Sequence, residues 1–109
     1  MPNVSGNSRV HELLDGMLHE IQICQHLYAQ LPTGAADYRP SEKQRTLLEL
    51  LQYLTIAAEV SVAVALAKDA EVARPIYDRS KTVTYEGFPA AMEAQAAYLR
   101  ETLGVLSDV

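Results

Sequence analysis

Residues 39–59, RPSEKQRTLLELLQYLTIAAE, carry the strongest helix signals in the chain. Ser41 and Gln44 have the spacing of a capping box, in which each side chain accepts a hydrogen bond from the other residue's backbone amide. The apolar run that follows continues to about Lys68 and is apolar almost all round, which is typical of a helix covered by several neighbours. The sequence therefore predicts a buried helix over about 42–68.

A β-strand and a membrane span are the alternatives to this buried helix. Val60, Val62 and Val64 alternate with small residues, as in a strand, but the abundant alanines and the continuity with the capped segment favour a helix. A membrane-spanning helix needs about 18 uncharged apolar residues. Glu59 interrupts the run and leaves only residues 60–67 uncharged, so no membrane span is predicted.

A long helix is predicted on each side of the central one. In residues 8–31 the apolar side chains recur at spacings of three and four, which places them on one helix face. In residues 87–107 the apolar stripe consists of Phe88, Met92, Leu99, Leu103 and Leu106. Gly34 and two prolines end the first helix. We expect an irregular loop over residues 69–86, which contain Pro75.

The composition is that of a globular protein, with 109 residues, 49% hydrophobic and 21% charged. It predicts a single domain over residues 1–109. The net charge is -5 and the nine Lys and Arg are scattered, which argues against nucleic-acid binding. One cysteine excludes an intrachain disulfide and fits a reducing compartment, and the N-terminal MPNVSGNSRV has no signal-peptide pattern. We therefore predict a cytoplasmic location.

Residues 10–108 resemble the N-terminal three helices of the DinB-like superfamily of helical bundles, which includes thiol-dependent transferases. The long first helix, the segment RPSEKQRTLLELLQYL and the ending LGVLSDV carry the resemblance. It implies an up-and-down four-helix bundle with a divalent metal held by three histidines, one of them on the second helix. Tyr53 stands at the position of that histidine, and the later segment that supplies the other two is not part of this sequence. No metal site and no cofactor are therefore predicted.

The histidines of the chain do not form an alternative metal site. His11, His19 and His26 share one helix face but lie seven and eight residues apart, whereas joint ligands on a helix are three or four apart. We predict that they face solvent. Cys24 lies on the opposite, apolar stripe, where a thiol is typically inert.

Tyr53 is the candidate pocket residue, and two roles are open for it. Its phenol can act as a donor in a small-molecule pocket or as a weak ligand, or its ring can fill the core beside Leu50, Ala57, Val60 and Val64. Packing is the favoured role. Glu59 continues a polar stripe and is expected to be solvated. No catalytic triad, phosphate-binding loop or CxxC motif is present, so no catalytic residue is predicted.

The predicted fold is an all-α up-and-down bundle of three long helices whose apolar central helix needs a further covering layer. A second copy or a missing fourth helix can supply it, and we expect a homodimer that buries the second half of the central helix and the third helix. Two functions are open. One is a DinB-like module that has lost the metal site and binds a partner or an unknown small-molecule ligand. The other is a metal-dependent thiol transferase or hydrolase-like enzyme of the same superfamily, completed by a missing segment or a partner chain.

Overall fold

The computed structural model describes residues 4–107 and, within them, consists of helices and connectors without a β-strand. The five α-helices are α1 (Val4–Ala29), α2 (Leu47–Leu54), α3 (Ala57–Ala67), α4 (Ala73–Ser80) and α5 (Phe88–Ser107). Short 3-10 turns lie in two connectors, at Ala35–Asp37 and Ala70–Val72. The all-α class is therefore confirmed, whereas the described residues form five helices in place of the three predicted ones.

The two longest helices, α1 and α5, pack against each other in opposite directions. At the end of α1 the ring of Tyr28 stacks on Phe88 at the start of α5, with 4.8 Å between the ring centroids. Near this contact, Gln25 Nε2 donates to Glu93 Oε1 over 3.4 Å. The facing side chains form most of the core, which consists of Leu14, Ile21, Leu51, Val62, Phe88, Met92, Ala96, Leu99 and Leu103. The predicted apolar stripe of α5 is buried except at Leu106, which is 39% exposed.

The second helix begins at Leu47, later than predicted, because its capping box is formed by Thr46 and Glu49. Thr46 Oγ1 accepts a hydrogen bond from the Glu49 amide over 3.1 Å, and Glu49 Oε1 accepts one from the Thr46 amide over 2.8 Å. The hydrogen bond from the Thr46 amide lowers the pKa of the Glu49 carboxyl. Its negative charge is favourable at the positive end of the helix. The Ser41 and Gln44 pair forms a turn instead, in which the Gln44 amide donates to the Ser41 carbonyl.

The helix predicted over 42–68 is broken at Thr55 and Ile56, where α2 and α3 meet with a bend of 42°. Ile56 has φ −129° and ψ −2°, outside the helical region, and both residues are almost completely buried. The Thr55 hydroxyl donates to the Gln52 carbonyl over 2.6 Å at the end of α2. No single helix in residues 4–107 has the length and apolar composition to cross a membrane, and α2 and α3 reach that composition only as a bent pair.

The side-chain amide of Gln95 in α5 forms hydrogen bonds with backbone groups on both sides of this break. Its Oε1 accepts hydrogen bonds from the Ala58 and Glu59 amides over 3.0 and 3.1 Å. Amides in the first turn of a helix have no partner within that helix. Its Nε2 donates to the Leu54 carbonyl at the end of α2 over 3.0 Å, and only 2% of Gln95 is exposed. One side chain therefore replaces backbone bonds that the break removes and attaches both short helices to α5.

The segment predicted as an irregular loop over 69–86 contains α4. Lys68 adopts a left-handed conformation, with φ 55°, and ends α3. The Asp69 carboxylate then accepts from the Glu71 amide over 2.9 Å and starts the next turn. Pro75 is the third residue of α4, where a backbone N–H has no helical partner, so it does not disturb the helix. The loop prediction was wrong because it treated Pro75 as a helix breaker.

Replacing Gln95 tests whether its amide holds the broken helix. We expect Gln95→Met to lower the free energy of unfolding by about 3 kcal/mol, because two amides and one carbonyl lose their partner in a buried place. Gln25→Met is the matched control, since Gln25 makes one exposed bond of 3.4 Å, and we expect it to change stability by about 0.5 kcal/mol or less. Urea unfolding of both variants measures the difference, and equal effects would contradict the proposed role of Gln95.

Candidate functional site

Tyr53 lies on the outer side of α2, and 38% of its surface is exposed. The ring of Tyr77 in α4 lies 6.5 Å from it and is inclined by 18°. The guanidinium carbon of Arg45 lies 5.2 Å from the Tyr53 ring centroid, which is a cation–π distance. The prediction that this ring fills the core is therefore wrong. It assumed one continuous helix, whereas α2 ends at Leu54 and Ala57 begins a separate helix.

A cleft of about 440 Å³ lies beside the two tyrosine rings, between α2 and α4. Gln52 of α2 holds its far wall in place, since Gln52 Nε2 donates to the carbonyls of Lys81 and Val83 over 3.3 and 2.9 Å. These bonds attach the segment after α4 to α2. The cleft therefore lies between two helices that Gln52 connects at one of its sides.

The charged residues of the cleft leave a positive balance. Arg45 and Lys81 carry positive charges, and Glu49 carries one negative charge. The Glu49 carboxylate is already engaged, because it accepts from the Thr46 amide over 2.8 Å and lies 4.0 Å from the Arg39 guanidinium. In a chain with a net charge of -5, the lining of this cleft thus carries a local excess of one positive charge.

Glu59 lies on the other side of α4 and is 8% exposed, so the prediction that it is solvated is wrong. Arg79 of α4 donates to Glu59 Oε1 over 2.6 Å, and this ion pair joins α4 to α3. A buried carboxylate loses its hydration, which a charged hydrogen-bond partner offsets. The solvated stripe was predicted for an unbroken helix, and the break at Ile56 turns Glu59 away from that stripe.

A cavity of about 350 Å³ borders this ion pair. Its apolar lining consists of Ile56, Val83, Ala91, Ala94 and Tyr98. The hydroxyl groups of Thr55 and Ser80 in its lining already donate to backbone carbonyls, Thr55 to Gln52 and Ser80 to Tyr77, each over 2.6 Å. Ser80 also borders the cleft beside Tyr53, so one turn of α4 forms a wall of both pockets.

The histidines and the cysteine lie apart from both pockets. His11, His19 and His26 are on the exposed face of α1, as predicted. Within residues 4–107, no three His, Cys, Asp or Glu side chains are arranged to hold a metal ion. Burial raises the pKa of the Cys24 thiol, and the Glu20 carboxylate raises it further, so the thiol stays protonated and is a poor nucleophile.

Comparison of the chain with protein families, with curated proteins and with solved structures gave no match. The resemblance to the DinB-like superfamily therefore depends on the sequence features alone. Aromatic, charged and apolar groups converge in the two pockets beside α4.

Sequence reasoning identified Tyr53 but missed the residues around it. Tyr77 and Arg79 lie in the segment predicted as a loop, so the sequence pattern did not indicate that they share one short helix. Gln95 lies among alanines in a helix and has no distinguishing pattern. Glu59 did carry a signal, because it is a single charge in an otherwise apolar run, and a charge inside a buried helix needs a partner.

Removing the Arg79 guanidinium, which pairs with Glu59, tests the energetic role of the ion pair. We expect Arg79→Ala to destabilise the protein by about 2 kcal/mol, because the buried carboxylate loses its partner while the exposed arginine end of the pair is partly screened. Arg74→Ala is the control in the same helix, since its partner Glu71 is exposed, and it should cost about 0.5 kcal/mol or less. Thermal and urea unfolding measure both values, and a loss in Arg79→Ala as small as in the control would show that Glu59 does not depend on Arg79.

Proposed function

We propose that the chain is a DinB-like binding module in which the cleft beside Tyr53 takes a small-molecule ligand and no metal site remains. The observation that carries this proposal is the placement of Tyr53 in an open cleft with Tyr77 and Arg45. A tyrosine ring that serves only for packing contributes stability by being buried. Tyr53 and Tyr77 are instead 38% and 41% exposed. The up-and-down bundle and the cytoplasmic location are part of the same proposal, and they rest on the sequence resemblance and on the single cysteine.

The ligand that suits this cleft is a small organic anion with an aromatic part. Tyr53 and Tyr77 provide ring surface on which a flat group can stack. Arg45 and Lys81 provide charge-assisted hydrogen bonds to a carboxylate or a phosphate. The volume of about 440 Å³ lies within the range of small-molecule sites.

Benzoate is a minimal probe of this proposal. We expect saturable binding in NMR titrations, with chemical-shift changes centred on Tyr53, Tyr77 and Lys81. Arg45→Gln should weaken binding about tenfold, because a charge-assisted hydrogen bond is lost. Arg100→Gln removes an exposed cation from α5, outside the cleft, and should leave the affinity unchanged. Equal affinities in the two variants, or no saturable binding to the wild type, would contradict an anion site in the cleft.

We also propose that the chain forms a homodimer, because its exposed surface is larger than that of a compact monomer. The exposed area is 7308 Å² for a mass of 12.0 kDa, whereas a folded monomer of this mass exposes about 6,000 Å². The radius of gyration is 15.7 Å, compared with about 13 Å for a compact domain of this length. The excess area is above the roughly 800 Å² that each partner buries in a standard interface.

We assign this contact to exposed apolar residues at the end of α3 and at the end of α5. Leu66, Val105 and Leu106 are 52%, 64% and 39% exposed there. Both ends belong to the segments that the sequence assigns to the interface.

Sedimentation tests the dimer and its surface. We expect a mass close to twice 12.0 kDa for the wild type and the mass of one chain for the double variant Leu66→Glu and Leu106→Glu, because buried charges oppose association. The double variant Gln22→Glu and Gln30→Glu adds the same charge to exposed positions in α1 and just after it, and should stay dimeric. A wild-type mass of one chain at every concentration would contradict the dimer.

A further inference from the structure

The cavity between α3, α4 and α5 contains a carboxylate that the fold holds in a fixed place. The Glu59 amide donates to Gln95 Oε1 over 3.1 Å, and its side chain pairs with Arg79 over 2.6 Å. Both the backbone and the side chain of Glu59 are therefore anchored. Because Glu59 is 8% exposed, a group that binds its carboxylate must enter the cavity.

One oxygen of this carboxylate is available for a ligand. Arg79 donates to Oε1, and no described residue donates a hydrogen bond to Oε2. Among the described residues, every side-chain oxygen or nitrogen that is fully shielded from solvent has a hydrogen-bond partner. Since Oε2 has no partner, it is not fully shielded, and it is open to the cavity that Glu59 lines. An ionised carboxylate oxygen accepts hydrogen bonds and donates none.

The other polar groups of the cavity also present acceptors. The hydroxyl hydrogens of Thr55 and Ser80 are directed to backbone carbonyls, which leaves the lone pairs of their oxygens. The side-chain amide of Gln95 donates to the Leu54 carbonyl and contacts Met92 Sδ at 3.7 Å, so its hydrogens are already used. A ligand that binds Glu59 Oε2 must therefore bring its own donor.

The geometry points to a binding site for a small primary amine in this cavity. The ammonium group donates to Glu59 Oε2, and the apolar body of the ligand packs against Ile56, Val83 and Tyr98. The volume of about 350 Å³ is at the small end of ligand sites, which suits an alkylamine or an arylalkylamine. The site is separate from the cleft beside Tyr53 and does not depend on the function proposed for that cleft.

Arg79 already binds the first oxygen of this carboxylate. Its side chain is 57% exposed, so water screens its charge, and it binds Glu59 through a single oxygen. A ligand ammonium can therefore bind the second oxygen while Arg79 keeps the first. Removal of Arg79 frees both oxygens and removes a positive charge from the mouth of the cavity. The affinity for an amine should then increase, although the protein without its ligand is less stable.

Benzylammonium and benzyl alcohol form a matched pair of probes, since they differ in the charged donor and share the same ring. We expect saturable millimolar binding of benzylammonium in NMR titrations, with shifts at Glu59, Arg79 and Tyr98, and about tenfold weaker binding of benzyl alcohol. Glu59→Gln should weaken benzylammonium binding about tenfold or more, and Arg79→Ala should strengthen it severalfold. Glu93→Gln, an exposed carboxylate of α5 outside the cavity, should leave it unchanged.

Two further measurements test the amine site independently of Glu59→Gln. If Glu59→Gln unfolds, Ala91→Leu tests the site without altering the carboxylate, because the larger side chain fills the cavity from its wall and should abolish binding. In Arg79→Ala, benzylammonium should raise the midpoint of thermal unfolding more than in the wild type. Equal binding of the amine and the alcohol, unchanged affinity in Glu59→Gln or Ala91→Leu, or weaker binding in Arg79→Ala would each overturn the amine site. Loss of benzoate binding alone would concern the Tyr53 cleft and leave this site unaffected.

Discussion

The side-chain amide of Gln95 is the interaction on which the arrangement of the helices depends. A helix that breaks inside a protein leaves amides and carbonyls without partners, and each such buried group costs free energy. Gln95 supplies an acceptor for Ala58 and Glu59 and a donor for Leu54, so a single residue of α5 compensates both sides of the break. The break in turn allows α2 and α3 to bend by 42° and to follow the core formed by α1 and α5.

The position of α4 follows from this break. Glu59 lies one residue beyond Ala58, at the start of α3, where Gln95 fixes its backbone, and its carboxylate binds Arg79 of α4. From α2, Gln52 binds the carbonyls that follow α4. The short helix is thus held from both halves of the broken helix, and it separates a cleft with positive charge from a cavity with a carboxylate.

Local sequence patterns predicted the features that arise within one helix. The spacing of apolar residues in α1 and α5, the exposed face of His11, His19 and His26 and the all-α class all follow from a period of 3.6 residues. The break at Ile56 did not follow, because the bonds that stabilise it come from α5, 37 residues after Ala58. Tyr53 and Glu59 were placed wrongly for this reason, since a continuous helix would have put the ring in the core and the carboxylate in solvent.

Hydrogen exchange of the Ala58 and Glu59 amides measures the Gln95 contact most directly. Both amides stand in the first turn of α3, where a helix by itself gives no protection. If Gln95 Oε1 accepts their hydrogens, they should exchange as slowly as the amide of Leu99 in the middle of α5, because exchange then requires α5 to separate from α3. Exchange as fast as that of the exposed Thr33 amide, with Leu99 still protected, would show that the break is held without Gln95 and would contradict its central role.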